Sequence, residues 1–153
     1  MNTTQPAMTT MTDYAYTSAI DLGRAIAAKA ISPVEIMHAC LARMDALEPH
    51  LNCFVTATPD EALAAARRAE RALMAGEALG ALHGVPLSVK DLIAMGGVRQ
   101  TFGSRTMASN IATADAPSVE RVKAAGACII GKTTTTEFGC KGGRRCLTSR
   151  PRR

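Results

Sequence analysis

Helix-forming and strand-forming segments alternate along this chain, which predicts a mixed α/β fold with its helices gathered at the N-terminal side. Three observations carry that reading. Ser32-Pro33-Val34-Glu35 and Thr58-Pro59-Asp60-Glu61 share one grammar of helix initiation: a hydroxyl cap, a proline at the first helical position and an acid near the positive helix end. Val85-Pro86-Leu87-Ser88-Val89 is an apolar run of strand length with a proline near its start. Ala127-Cys128-Ile129-Ile130 is a second compact apolar run, expected as a buried parallel strand.

Residues 1–12 are polar and Thr-rich and read as a disordered lead. Asp13-Tyr14-Ala15-Tyr16 then introduces a helix over roughly Ser18 to Ala30, with Asp21 in its first turn. The helix from Ser32 should place Ile36, Cys40, Met44 and Leu47 on its inner face and end at Pro49, with Glu35 answering the cap's own amide. The helix from Thr58 should run to about Ala75 and stop at Gly76, its inner face mostly alanine with Leu73. Asp115 is expected to cap a helix from about Ala116 to Ala125, ended by Gly126. Thr133 to Phe138 can start another helix.

Composition limits the core and the partners. Of the 153 residues 47% are hydrophobic, but 28 are alanine, aromatics are 3% and tryptophan is absent. Large side chains carry most burial energy, at about 25 cal/mol per Å², so the expected core is thin. The formal charge of +5 resides in residues 141–153, which hold Lys141, Arg144, Arg145, Arg150, Arg152 and Arg153 and no acid. The remainder has 12 basic against 13 acidic residues, a net charge of −1, so the body offers no basic face for nucleic acid. The five cysteines (Cys40, Cys53, Cys128, Cys140, Cys146) form no CxxC pair, and no histidine lies at zinc-ligand spacing. No cofactor and no metal are expected. The start of the chain has neither the basic nor the apolar region of a signal peptide, and no stretch approaches membrane-spanning length. A cytoplasmic protein with no membrane partner is the expectation.

Gly126-Ala127-Cys128-Ile129-Ile130-Gly131-Lys132-Thr133 matches the phosphate-loop pattern G-x-x-x-x-G-K-[ST] letter for letter. The mechanism needs a strand before the first glycine and a flexible loop after it. Here a helix precedes Gly126 and the loop positions are apolar. Burying Ile129 and Ile130 is worth about 1.5–3 kcal/mol each, which a phosphate cradle would forfeit. Lys132 is read as a strand-end lysine, and a nucleotide site is not expected.

Lys90 is the candidate catalytic residue. A lysine near its ordinary pKa of ~10.4 is a poor base, but apolar burial disfavours its charge and can leave a neutral acceptor. Leu87, Val89, Leu92 and Ile93 flank Lys90 and would supply such surroundings. From spacing alone, a surface lysine at a strand end paired with Asp91 is the simpler account.

The ordered motifs around Lys90 add a resemblance. Leu82–Asp91 resembles the G-V-P-x-x-x-K-D motif of the amidase signature family, and Thr101-Phe102-Gly103-Ser104 its T-x-G-S turn. Asp115-Ala116-Pro117 and Gly131-Lys132-Thr133 through Glu137-Phe138 resemble a further stretch of that family, and the likeness spans about residues 17–141. It implies part of an amidase-signature α/β fold over residues 13–142 and a Ser–cis-Ser–Lys amide hydrolase acting on a small-molecule amide. Lys90 aligns with the lysine base. Backbone amides of a Gly/Ser-rich loop would form the oxyanion hole.

After Gly142 the sequence departs from the family. Residues 143–153 form a basic tail, expected to be disordered, where the family continues toward its Gly/Ser-rich loop. None of the seven serines (Ser18, Ser32, Ser88, Ser104, Ser109, Ser118, Ser149) lies in such a loop. The chain is therefore expected to hold the base without either serine, to be poorly soluble and to be inactive alone. The acid-free Arg/Pro/Cys-rich ending suggests a reading-frame shift, which sequencing the coding DNA past codon 142 would test. A basic-tailed nucleic-acid-binding or interaction fragment is the alternative; six cations would give steep salt dependence, but the tail has no aromatic to stack on bases.

Overall fold

The computed structural model describes residues 14–140. The expected lead and basic tail lie outside the described residues, and so do Lys141 and Gly142, which the sequence assigned to the body.

Four helices and three strands follow in the order α1 (Ala19–Ala27), α2 (Pro33–Leu51), β1 (Phe54–Ala57), α3 (Pro59–Ala75), β2 (Pro86–Lys90), α4 (Pro117–Ala124) and β3 (Cys128–Thr133). The fold is mixed α/β. The sheet order is β1-β3-β2, with β3 antiparallel to β1 and parallel to β2. Each neighbour of β3 carries a register shift, between Phe54 and Thr56 on one side and between Leu87 and Ser88 on the other.

Caps decide where the first two helices begin. Ser18 accepts a hydrogen bond from the Asp21 amide at 3.1 Å, and Ser32 accepts from the Val34 and Glu35 amides at 3.0 and 3.2 Å. The Ser32 hydroxyl also donates to the Glu70 carboxylate, so one side chain starts α2 and ties it to α3. Glu35 takes the Tyr14 hydroxyl at 2.7 Å, where the sequence suggested a bond back to the cap. Thr58 precedes α3 but makes no side-chain cap; its hydroxyl lies 3.5 Å from the Ile129 carbonyl, toward the sheet. Asp115 does not cap α4 either. Its two oxygens accept from the Gly96 amide at 2.7 Å and from Lys123 at 2.6 Å, which binds the 94–98 turn to the helix.

Pro49 does not end α2. The helix continues to Leu51 and stops at Asn52, which turns left-handed at φ 50° and donates its amide to the Glu48 carbonyl. Proline removes one backbone bond in the last turn, where little helix remains to break. The Glu48 carboxylate then accepts the Cys53 and Phe54 amides at 3.1 and 3.0 Å and launches β1, a strand that four residues of sequence did not disclose. At the far end β3 runs on to Thr133, and only a short 3-10 turn, Glu137–Gly139, replaces the helix expected over 133–138.

The alternating side chains of β3 join two layers. Cys128 and Ile130 face Met37 and Leu41 of α2 and Ala62 and Ala66 of α3. Ile129 faces the other way, onto Val89, Met95 and Val119. A third cluster of Leu22, Ile26, Ile36, Leu73 and Val85 joins α1, α2 and α3 to the start of β2. Helix α2 thus buries Ile36 into one cluster and Met37 with Leu41 into another. Its inner surface is wider than the single stripe expected, and Leu47 is left exposed.

Candidate active site

Strands β2 and β3 run parallel, with Lys90 opposite Thr133 at their C-terminal ends. The Asp91 amide continues the ladder by donating to the Thr133 carbonyl at 3.0 Å. In open α/β sheets ligands bind outside the carboxyl ends of parallel strands, so Lys90 stands at the edge where chemistry is commonly placed.

The surroundings of Lys90 differ from the expected enclosure. Side chains alternate across a strand: Val89 is buried and Lys90 is exposed, as is Ser88 on the same face. Leu92 is half-buried and Ile93 lies at the surface, so none of these neighbours closes over the amine. Asp91 does not pair with Lys90, because its side chain turns inward.

Asp91 and Lys132 are both fully buried, with Lys132 Nζ 3.2 Å from Asp91 Oδ1. At that distance the carboxylate and the amine pair directly, out of contact with solvent. Asp91 Oδ2 accepts the Thr101 hydroxyl at 2.5 Å and the Thr101 amide at 3.1 Å. Thr101 Oγ1 accepts in turn from the Gly103 amide at 3.1 Å. Burial lowers the Lys132 pKa from the usual lysine range, and the Asp91 carboxylate works against that shift.

Lys132 does stand next to the end of β3, as read from the sequence, but its side chain is buried against Asp91. The signal was present in the sequence: a lysine following Ile129-Ile130-Gly131 in a buried strand needs a buried acid, and Asp91 follows the neighbouring strand. The pattern resembling a phosphate loop is the strand itself, with Ile129 and Ile130 buried and the lysine committed to Asp91. Gly131 is dictated by the sheet. At φ 149° any Cβ on it would sit 2.5 Å from the Thr56 carbonyl oxygen of β1.

Ser104 is fully buried, its hydroxyl 2.8 Å from that of Thr106. Ser18 and Ser32 are committed to helix caps, and Ser149 lies outside the described residues. Among the described residues no group of three or more His, Cys, Asp or Glu side chains is placed to hold a metal ion, and no helix is long and apolar enough to cross a membrane.

A parallel strand pair packed against helices, with an exposed lysine at its end, is one unit of an α/β fold. A profile of the family described as Amidase matches residues 35–145, and the chain belongs to that family. It is 42% identical over 126 residues to an acylamidase of Rhodococcus erythropolis, covering 82% of this chain and 26% of that protein. It is 46% identical over 114 residues to a glutamyl-tRNA(Gln) amidotransferase subunit of Chloroflexus aurantiacus, covering 74% of this chain and 23% of the relative. Among solved structures, the native peptide amidase of Stenotrophomonas maltophilia superimposes with a TM-score of 0.76 at 33% identity, over 82% of this chain and 26% of that one. A bacterial aryl acylamidase of the amidase signature enzymes gives 0.79 at 29% identity, over 83% and 27%. The chain thus spans about a quarter of the length of the relatives it matches.

Proposed function

We propose that this chain carries, in Lys90, the amine base of a Ser–cis-Ser–Lys amide hydrolase acting on small-molecule amides. The observation that carries the reading is the place of Lys90: the open face of β2, at the C-terminal end of a parallel strand pair, inside Gly84-Val85-Pro86-Leu87-Ser88-Val89-Lys90-Asp91. In this chemistry the neutral amine takes the proton of a cis-serine, which takes that of the nucleophilic serine as its oxygen attacks the amide carbon. The tetrahedral oxyanion rests on backbone amides. The carbon–nitrogen bond breaks as the leaving nitrogen takes a proton relayed back from the lysine, and water then releases the acyl group from the serine.

Residues 1–153 contain no Gly/Ser-rich loop to supply that pair of serines. Lys90 is exposed, and only burial against apolar groups favours a neutral amine, so the cover that turns it into a base must also come from outside the described residues. The lysine base alone cannot open an amide.

The purified 153-residue chain is expected to release no ammonia or amine from simple aliphatic or aryl amides above the buffer rate. Sustained turnover by the chain alone, abolished by Lys90→Ala, would show that it needs no external serine and would overturn this account.

A further inference from the structure

The buried pair behind Lys90 has a cost that stability does not explain. Two charges taken wholly out of water are repaid only by good geometry, and apolar residues of similar size often fill such a place without loss. Here both side chains are wholly buried, with Lys132 Nζ 3.2 Å from Asp91 Oδ1. What the pair does achieve is direction. Asp91 directly follows Lys90, and its carboxylate grips both the amide and the hydroxyl of Thr101. The Ile93 amide closes a turn on the carbonyl of Lys90 itself at 2.9 Å.

The segments gripped in this way are strained. Phe102 and Phe138 both adopt left-handed backbone, at φ 53° and 47°, and their rings stack at 6.0 Å. The Phe138 amide donates to the Phe102 carbonyl at 2.7 Å. Gly103 lies so near the following segment that a Cβ would fall 2.8 Å from the Thr135 carbonyl oxygen. Such residues persist only where their surroundings over-determine them. Residues 90–93, 101–104 and 135–139 are thereby locked into one block, with Lys90 at its margin.

We propose that Asp91, Lys132 and Thr101 are positioning residues for Lys90, fixing the end of β2 so that its amine meets its reaction partner at one place. The inference rests on the amide-hydrolase reading above. A base must come within about 2.6–3.2 Å of the proton it takes, and a misplacement of about 1 Å costs on the order of 100-fold in rate. A lysine side chain is long and flexible, so the root of the chain is the part the fold can fix.

Two measurements on Asp91→Asn, Thr101→Val and Thr101→Ser test this. The first is amide hydrogen exchange in the 153-residue chain. Asp91→Asn and Thr101→Val should speed exchange at Ile93 by about tenfold or more and leave Met37 and Ala66 unchanged, while Thr101→Ser keeps the original rate. The second is amide hydrolysis by the chain co-expressed with the part of the Rhodococcus acylamidase it does not cover. There Thr101→Val should lower kcat by about 100-fold with KM little changed, and Thr101→Ser should restore it. Where Asp91→Asn fails to fold, Thr101→Val decides, since it leaves every charge in place. Unchanged exchange at Ile93, or unchanged kcat despite faster exchange, overturns the positioning role. No turnover by the unaltered assembly, or turnover that survives Lys90→Ala, overturns instead the amide-hydrolase reading beneath it.

Discussion

Cys128 and Asp115 show how single side chains respond to their place in this fold. Cys128 is buried at the start of β3, and desolvation pushes its thiol up to about 11, with Arg68 opposing. Cys140 is exposed. Alkylation at pH 8 followed by peptide mapping should therefore modify Cys140 and spare Cys128 until the chain is unfolded. For Asp115, the hydrogen bond from Lys123 holds its carboxyl below the usual carboxylate value, with burial opposing. A depressed carboxylate pKa stabilises the fold above the unfolded value of about 3.9 and loses that contribution as pH falls through the folded value. Urea midpoints measured from pH 5 to pH 2 should fall more steeply for the natural chain than for Asp115→Asn.

Residue roles were partly legible beforehand. Ser18 and Ser32 declared themselves as caps because their signals, an acid in the first turn and, for Ser32, a following proline, are neighbours in sequence. Asp115 and Thr58 carried a similar local signature yet turned to Gly96, Lys123 and the sheet, contacts that form only once distant segments meet. The Asp91–Lys132 pair was hidden for the same reason: its partners are far apart in sequence and meet only when two parallel strands lie side by side.

The elements depend on close approach, as an alanine-rich chain requires. Ala62 and Ala66 let α3 lie close on β3, and Gly131 lets β1 pair closely beside β3. Gly131→Ala would force a Cβ against the Thr56 carbonyl and should cost about 1–3 kcal/mol, read as a lower urea midpoint with circular dichroism otherwise retained. A stability equal to that of the natural chain would mean that β1 is not held against β3 as described. Long helices and apolar runs were readable because their caps and periodicity are local. Strand β1 was not, since four residues between two helices carry little pattern; its place is fixed by Glu48 and by pairing with β3.

For the molecule as a whole, the alternation of helix and strand signals foretold the α/β class, and the composition foretold the modest core. Three strands and a few small clusters leave large apolar side chains in solvent, among them Ile20, Met74, Ile111 and Phe138. The chain covers about a quarter of the length of the relatives it matches. Under the proposed reading, both the cover over Lys90 and the serines it would serve belong to that larger scale, which is why its enclosure is not found among its neighbours. Co-expression of the 153-residue chain with the complementary part of the Rhodococcus acylamidase, assayed on an aryl amide, tests the central claim most directly. The account predicts hydrolysis that appears only when both parts are present and disappears with Lys90→Ala. Hydrolysis by the assembly that is unaffected by Lys90→Ala would contradict it.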